Sequence, residues 1–176
     1  MSALLHGADF RMLCVDPGLR GCGVAEFLGG TLVRAAYVKN TLASGRGYKA
    51  HAGMSQEIYY WVGAPVVDLF LIEMPRIYPG LAQQKGDPND LLDIAGVGGA
   101  IAGIFEEYGI ESVFPSDWKG QVPADMMTER IKRALTQEEK AKAEKCAASL
   151  AHNMWDACGI GLHRLGRLNK KVLHND

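Results

Sequence analysis

The N-terminal part of the chain alternates short apolar segments with turn residues, as an antiparallel meander does. Residues 11–16 form an almost wholly apolar segment that predicts a buried strand. A Pro-Gly turn follows, and residues 21–28 predict a second strand. Gly29 and Gly30 supply the chemistry of a tight hairpin before a third strand at residues 31–39. The sequence therefore predicts three consecutive antiparallel strands.

Beyond this meander, predicted helices alternate with apolar strands. Residues 68–73 are nearly all apolar, which is typical of a central strand buried on both faces. The predicted elements are a mobile loop at 44–53, a helix at 54–62, the strand at 68–73, a loop at 76–89, a helix at 90–108, a strand at 110–114, and helices at 128–135 and 138–163. This order predicts an α/β, ribonuclease H-like fold. Its sheet would be mixed and five-stranded, with the first three strands antiparallel and helices on both faces.

The helix predicted at residues 90–108 is rich in glycine. Its glycines are Gly96, Gly98, Gly99 and Gly103. Each would destabilise an isolated helix by roughly 1 kcal/mol relative to alanine. Glycine is favoured there only if another backbone packs closely against the helix, so the sequence predicts a close contact along this element.

Composition is that of a globular protein. The 176 residues suit a single domain with one core, and 48% of them are hydrophobic while 22% are charged. The longest apolar segment, residues 94–105, is too short to span a bilayer. The start of the chain lacks the basic and apolar regions of a signal peptide. We therefore expect a cytoplasmic protein without a membrane partner.

Net charge does not by itself indicate a nucleic-acid partner, because it is only −1. Basic residues are concentrated in a C-terminal tail at residues 163–176. They are Arg164, Arg167, Lys170 and Lys171. Such a tail either contacts phosphates or is simply a solvated chain end.

The cysteine pattern does not predict a metal site. The chain has four cysteines, Cys14, Cys22, Cys146 and Cys158. None of them forms a Cys-x-x-Cys pair, which is the usual spacing of a structural zinc site. We therefore predict reduced, buried thiols.

Three acidic residues stand at the edges of apolar segments. Asp16 ends the first predicted strand, Glu73 ends the central strand, and Asp156 lies in the last predicted helix. A buried carboxylate at a strand end is costly unless something binds it. Converging carboxylates are typical ligands of divalent metal ions in phosphate chemistry. The plainer alternative is that each acid is a turn or surface residue, which is common for a single Asp after a strand.

The residues before Asp156 add a fourth candidate ligand. His152 and Asn153 precede Asp156 by four and three residues, which places them on the same face of a helix. Either side chain can reach the predicted metal cluster. Two divalent ions held this way stabilise both the attacking and the leaving oxygen of an in-line phosphoryl displacement.

Two further segments carry candidate phosphate or DNA contacts. Trp118 and Lys119 are both candidate DNA contacts. Lys119 can neutralise a scissile phosphate, or it is a surface lysine next to a packed tryptophan. The loop after Glu73 contains Arg76, Ile77, Tyr78 and Lys85. Its basic side chains can hold phosphates and its apolar side chains can insert between bases, or it is an ordinary polar loop.

Four motifs in order resemble one known family. They are CVDPGLRGCGVAEF, LFLIEMP, FPSDWKGQVP and HNMWDACGIGL, and the likeness extends from about residue 11 to residue 166. The chain resembles the RuvC-type Holliday-junction resolvases, particularly the smaller phage-encoded ones. The resemblance implies a homodimer that binds four-way DNA junctions and nicks two strands symmetrically. It also implies two Mg²⁺ or Mn²⁺ ions in each active site.

The resemblance also implies roles for particular residues. Asp16, Glu73 and Asp156 correspond to the family's acidic metal ligands, and Asn153 stands where the family usually has Asp or His. That difference either lowers metal affinity or leaves the position to His152. Lys119 corresponds to the family's first catalytic lysine.

Three other correspondences are less complete. Ala124 stands where a second lysine is expected, so Arg130 or Lys132 would have to replace it. Ile77 or Tyr78 corresponds to the residue that opens the junction. The predicted helix at residues 90–108 corresponds to the helix that faces the dimer partner, where glycines permit close approach across a two-fold axis.

Two alternative functions remain open at the level of the sequence. A strand that ends in Asp and is followed by glycine also begins actin-like nucleotide-binding lobes, but those need a second lobe that 176 residues cannot supply. The other alternative is a branched-DNA-binding protein that keeps this fold with weak or no catalytic activity. The residues at positions 124 and 153 are the reason to consider it.

Overall fold

The computed structural model describes residues 7–42, 45–63, 66–76 and 87–168. Five residues about which the sequence makes predictions lie outside these ranges: Ile77, Tyr78, Lys85, Lys170 and Lys171. The loop predicted at residues 76–89 and the tail at 163–176 are therefore described only in part.

The order of strands and helices largely follows the prediction. The strands are β1 (Arg11–Asp16), β2 (Gly21–Leu28), β3 (Thr31–Lys39), β4 (Leu69–Glu73) and β5 (Gly109–Val113). The helices are α1 (Tyr48–Val62), α2 (Pro88–Ile104), α3 (Pro115–Trp118), α4 (Ala124–Ala134), α5 (Gln137–Ala141) and α6 (Ala148–Arg164). The three strands of the meander have the predicted bounds, and the two later strands differ from theirs by one residue at one or both ends.

The five strands form one mixed sheet in the order β3-β2-β1-β4-β5. The pairs β1–β2 and β2–β3 are antiparallel, whereas β1–β4 and β4–β5 are parallel. This arrangement confirms the predicted mixed sheet with an antiparallel start. It also places the carboxyl ends of β1 and β4 next to each other at one edge of the sheet.

Apolar side chains cover both faces of the sheet. Along β1, Met12 and Cys14 pack in a core with residues of α4 and α6, while Leu13 and Val15 pack in a second core with residues of α1 and α2. The alternation follows from the two-residue period of a strand. Because β1 is buried on both faces, it reads as a continuous apolar segment, and the prediction of helices on both faces is confirmed.

The predicted loop at residues 44–53 is wrong in its second half, because helix α1 begins at Tyr48. Ala50 and His51 are buried against the sheet and the neighbouring helix. The side chain of Asn40, at the end of β3, donates a hydrogen bond of 2.9 Å to the Ala50 carbonyl. The sequence suggested a loop because glycines precede the helix, but tertiary contacts stabilise its first turns.

The single helix predicted at residues 138–163 is also wrong, because the structure divides it into α5 and α6. Between them, Ala143 forms a parallel bridge with Ala35 of β3, and the Glu144 N–H donates to the Ala35 carbonyl at 2.8 Å. The segment contains alanine and lysine, which favour helices, and no glycine or proline. Pairing with the exposed edge of β3 satisfies backbone groups that would otherwise lack partners, and this overrides the local preference.

The described part of the basic tail is held by ion pairs. Arg167 donates hydrogen bonds of 2.7 Å to both carboxylate oxygens of Glu139, and Arg164 lies 2.9 Å from Glu111. These two arginines therefore do not form a free phosphate-contacting segment, and that interpretation of the tail is corrected for them. Arg167 instead joins the end of α6 to α5.

Two remaining expectations concern the thiols and the membrane. All four cysteines are free, and Cys14, Cys22 and Cys158 are buried, as predicted. Among the described residues, no helix has the length and apolar character needed to cross a bilayer.

Candidate active site

Asp16 and Glu73 end adjacent parallel strands. The register pairs Val15 of β1 with Ile72 of β4, so the next residue on each strand is one of the two acids. Both side chains lie on the sheet face that α6 covers, because Cys14 and Leu71, two residues earlier, belong to the core on that face. The sheet itself therefore brings the two predicted carboxylates together.

Helix α6 brings Asp156 to the same edge of the sheet. It crosses β2 at Gly23, where a Cβ atom would overlap the backbone carbonyl of Asn153. Gly23 is also the antiparallel partner of Asp16. Only a residue without a side chain lets the helix approach this closely, so Gly23 helps to position Asp156 beside the strand acids. Analysis of the sequence missed this role, although the alternating glycines of GCGVA were a usable signal.

Lys119 lies between the acids. It follows the short helix α3, and its Nζ is 2.7 Å from Oδ2 of Asp156 and 3.3 Å from the Glu73 carboxylate. Nε1 of Trp118 donates a hydrogen bond of 2.9 Å to Oε2 of Glu73. Residues that are widely separated in the sequence thus form one cluster of three carboxylates and one ammonium group.

The cluster contains more buried carboxylates than cationic groups. Asp16, Glu73 and Asp156 are only 8%, 9% and 8% exposed. Burial raises the pKa of both Asp16 and Glu73, and repulsion from neighbouring carboxylates adds to the effect while Lys119 opposes it. Burial alone would lower the pKa of Lys119, but the three carboxylates outweigh it and raise that pKa. No described residue donates a hydrogen bond to the Asp16 carboxylate, and the three carboxylates share a single ammonium group.

The carboxylate oxygens of Asp16, Glu73 and Asp156 are chemically suited to binding a divalent cation. Mg²⁺ and Mn²⁺ prefer carboxylate oxygens, and burial makes these carboxylates costly without a cation. Within the ranges that the structure describes, no group of three or more His, Cys, Asp or Glu side chains is arranged to hold an ion as it stands. Instead the Lys119 ammonium lies against Glu73 and Asp156. The cluster already accommodates one positive group, and the same oxygens are suited to a metal ion.

The two candidates for a fourth ligand line different clefts. Asn153 lines a cleft of about 460 Å³ beside Gly18, and its Nδ2 would be 3.3 Å from a Cβ atom at Gly18. His152 is exposed and lines a separate cleft of about 610 Å³ between α4 and α6. Because Gly18 follows Asp16 by two residues, the geometry favours Asn153 over His152.

The predicted DNA contacts differ in their exposure. Trp118 is 3% exposed and packs in the core with Gly159 and Ile131, so the expectation that its ring contacts DNA is corrected. It supports Glu73 from within the protein. Arg76 is exposed, with its guanidinium 5.7 Å from the centre of the Phe114 ring. The predicted contacts of Ile77, Tyr78 and Lys85 lie outside the described residues.

The two basic residues considered as replacements for Ala124 lie on α4. Lys132 forms a 3.0 Å ion pair with Glu129, and its Nζ is 5.6 Å from the centre of the Trp155 ring. Nη2 of Arg130 is buried and has no hydrogen-bond partner in the described part of the chain. Arg130 is therefore the less engaged of the two.

Contacts within the chain explain two of the four glycines in α2. A Cβ atom at Gly96 would overlap the ring of His51, and one at Gly98 would contact Ile72 and Pro17. By contrast, a Cβ atom at Gly99 or Gly103 would have no described neighbour within 4 Å. Gly96 and Gly98 permit close packing of α2 on the rest of the domain, whereas Gly99 and Gly103 have no packing partner among the described residues.

Comparisons with known proteins identify the fold. No protein-family model matches the chain, and no curated protein matches it. Among solved structures, RuvC of Thermus thermophilus in complex with a Holliday junction substrate has 13% identity and a TM-score of 0.50, covering 90% of this chain and 97% of that one. A second RuvC structure from T. thermophilus has 14% identity and a TM-score of 0.51, covering 90% and 98%.

A third similar structure comes from a different organism. The yeast mitochondrial Holliday junction resolvase has 9% identity and a TM-score of 0.51, covering 93% of this chain and 83% of that chain. At such low identities the likeness shows a shared ribonuclease H-like fold. The chain thus has the fold of RuvC-type Holliday junction resolvases over nearly its whole length.

Proposed function

We propose that this protein is a metal-dependent endodeoxyribonuclease that resolves four-way DNA junctions by paired symmetric nicks. One observation carries the proposal: Asp16, Glu73 and Asp156 come from three separate elements and meet around Lys119 at one edge of the sheet. The fold that positions them is also the fold of the Holliday junction resolvases to which the chain is similar. A cluster of buried like charges destabilises a fold, so its presence calls for a functional reason.

In this proposal Asp16, Glu73, Asp156 and Asn153 hold two Mg²⁺ or Mn²⁺ ions. When bound, such ions supply positive charge to the scissile phosphate and to the attacking and leaving oxygens. The chain itself fixes the donor positions through the β1–β4 register and the close approach of α6 at Gly23. Rigid strands and a packed helix keep the donors in place without reorganisation.

Lys119 has two tasks in the proposed site. Its ammonium is shared between Glu73 and Asp156 before substrate and metal bind, which limits repulsion between the acids. With DNA present, the same group faces the phosphate and offsets the negative charge that develops during cleavage. A side chain that is largely buried loses little conformational freedom in this second task.

We assign the binding of branched DNA to the surface that follows Glu73. Arg76 is exposed three residues after this acid, which places a positive charge near the end of β4. In the proposal Arg76 and Lys85 contact phosphates, and Ile77 or Tyr78 inserts at the branch point. These residues select the substrate, whereas the acidic cluster cuts it.

A homodimer completes the proposal, because two nicks need two sites related by symmetry. The outer face of α2 carries Leu92, which is 65% exposed, together with the open positions at Gly99 and Gly103. Packing this face against its symmetry mate brings two backbones close and buries the leucine. Sedimentation of wild type and Gly103→Gln, whose longer side chain blocks the close approach, tests this. We expect the wild type to be a dimer and the variant to be largely a monomer.

The central experiment uses a labelled four-way junction with Mg²⁺. We expect paired nicks at symmetry-related positions, no nicks in a linear duplex of the same sequence, and no nicks after chelation of the metal. Strand-specific end labels on all four strands show whether the two cuts are symmetric. A nuclease that cuts the linear duplex equally well would contradict the proposed structure selectivity.

A second candidate function is branched-DNA binding with little or no cleavage. The observation that favours it is the direct contact of Lys119 with two of the three acids, combined with a neutral Asn153. Tight junction binding without nicks, across a panel of branched substrates and both metal ions, would support this candidate.

A further inference from the structure

The sheet carries a second cleft next to the acidic cluster. It has a volume of about 460 Å³, within the range of roughly 300–1,000 Å³ that is usual for small-ligand sites. Its lining includes Gly18, Gly21, Tyr37 and Asn153, the two arginines Arg20 and Arg46, and one acid, Asp90. None of the three acids belongs to this lining, but Asn153, the proposed fourth ligand, does, so the cleft borders the proposed cutting site.

The register of the sheet aligns the cleft with the cutting site. Asp16 of β1 pairs with Gly23 of β2, which in turn pairs with Tyr37 of β3. Residues paired in this way project from the same face of a sheet. Helix α6 covers Gly23 on this face, so a strand of DNA whose phosphate lies at Asp16 reaches Tyr37 past Gly18, which follows Asp16 by two residues and lines the cleft.

Glycines shape the floor of this cleft. A Cβ atom at Gly21 would lie 2.6 Å from Cζ of Tyr37, so only glycine lets the aromatic ring lie against the backbone of β2. A Cβ atom at Gly18 would lie 3.3 Å from Nδ2 of Asn153 and narrow the passage between the cleft and the acids. The floor is thus open backbone bordered by one aromatic ring.

Arg46 and Arg20 differ in how they are engaged. Arg46 forms ion pairs with Asp87, Asp90 and Asp93. It therefore fixes the rim of the cleft to the start of α2. Arg20 is exposed, and no described residue accepts a hydrogen bond from its guanidinium. Its charge lies close enough to the Tyr37 hydroxyl to oppose the rise in pKa that burial causes in that group. Arg20 and Tyr37 together form the unengaged polar part of the cleft.

We propose that this cleft receives the base of the nucleotide next to the scissile phosphate, with Tyr37 as its aromatic wall and Arg20 as its hydrogen-bond donor. The inference rests on the proposed nuclease function and adds a base-specific contact beside the cut. Aromatic rings and arginine are the groups that proteins commonly use to hold unstacked bases. Near a branch point the neighbouring base pair can open, which makes such a base available.

The test couples a change in the protein to a change in the DNA. A set of junctions is prepared in which each nucleotide around the cut is replaced in turn by an abasic residue. Cleavage rates of wild type and of Arg20→Ala are measured on every junction of the set. We expect wild type to be slowed about tenfold by one abasic position beside the cut, as is typical for one lost base contact. We expect Arg20→Ala to be slowed about tenfold on the intact junction, with no further loss at that abasic position. Tyr37→Leu, which removes the ring, should behave in the same way.

The matched control is Arg133→Ala, which removes the same charge from an exposed position on α4 outside the cleft. It should remain as sensitive as wild type to the abasic position. If the effects of Arg20→Ala and of every abasic position simply multiply, Arg20 contacts only phosphate and the base site is overturned. If wild type cuts all abasic junctions equally, the inference also fails while the nuclease function stands. Absence of cleavage by wild type on any branched DNA would instead reject both.

Discussion

Two of the regions that bury carboxylates, the Glu139 site and the acidic cluster at the sheet edge, do so with opposite electrostatic results. Glu139, at the start of α5, accepts hydrogen bonds from Arg167 and from the Leu32 and Thr136 N–H groups at 2.7 to 3.0 Å. Burial alone would raise its pKa, but these donors outweigh burial and lower the pKa to about 2. At the sheet edge, burial and like charges raise the pKa of Asp16 and Glu73.

The difference lies in the number of donors per acid. One carboxylate at Glu139 has an arginine and two backbone N–H groups, whereas three carboxylates at the sheet edge share Lys119 and the Trp118 indole. A satisfied buried carboxylate stabilises the fold, and an unsatisfied one destabilises it. The comparison therefore separates one acid with a full set of donors from three acids that share two donors, although all of them are buried.

The largest effect is expected from Asp16→Asn. Losing one metal ligand should lower junction cleavage by at least about a hundredfold, because a bound metal contributes several kcal/mol to transition-state stabilisation. Junction affinity, measured by gel shift, should be unchanged or slightly higher, since the variant removes negative charge and no phosphate contact. Undiminished cleavage by this variant would reject the assigned metal site.

Lys119→Ala should have the next largest effect. The substitution should raise the activation free energy of cleavage by roughly 2.7 to 4 kcal/mol, as the loss of an oxyanion-hole donor does. Single-turnover rates at saturating enzyme, together with junction affinities, separate the two possible roles. An equal loss in affinity would make Lys119 a positioning residue for DNA. Lys142→Ala, at an exposed position at the end of α5, is the matched lysine control and should cleave like wild type.

Glu139→Gln tests the structural side of the comparison. A pKa lowered from 4.5 to about 2 corresponds to about 3 kcal/mol of stability, at 1.36 kcal/mol per pKa unit. Because the folded-state pKa is the lower one, this contribution is present above pH 4.5 and disappears as the pH falls towards 2. Urea unfolding across this range should show the variant about 3 kcal/mol less stable at neutral pH, with the gap closing in acid.

Asp16→Asn is the matched control for that pH series, since its sign is opposite. A raised folded-state pKa means that the wild-type acid lowers stability as the pH rises above the unfolded value of 3.8. The variant should then be at least as stable as wild type at neutral pH. A loss of stability comparable to that of Glu139→Gln would show that the two regions do not differ as described.

The sequence predicted the strands and their acids well because those signals are local. β1, β2 and β3 are short apolar segments separated by turn residues, and Asp16 and Glu73 stand at strand ends where parallel pairing brings them together. It could not predict features that depend on distant contacts. The bridge between Ala143 and Ala35 breaks an otherwise helical segment, and Gly23 sets the depth of α6 only once the sheet exists.

The same limit explains the errors at the site itself. Trp118 beside Lys119 suggested an exposed aromatic for DNA, but its indole N–H has a buried partner in Glu73, which no local pattern reveals. His152 and Asn153 share a helical face by spacing, yet the packing of α6 over Gly23 sends them to different clefts. Spacing along a helix defines candidates, and the position of the helix on the sheet distinguishes between them.

The smallest effect is expected from Asn153, the proposed fourth ligand, which would supply a neutral donor beside the three carboxylates. Asn153→Ala should raise the Mg²⁺ concentration needed for half-maximal cleavage about tenfold, the low end of effects seen for groups that support a metal site. His152→Ala should leave that concentration within about twofold, since His152 is exposed in the cleft between α4 and α6. Titration of cleavage rate against Mg²⁺ for both variants distinguishes them. A larger shift for His152→Ala would mean that α6 presents a different face to the metal than the packing at Gly23 indicates.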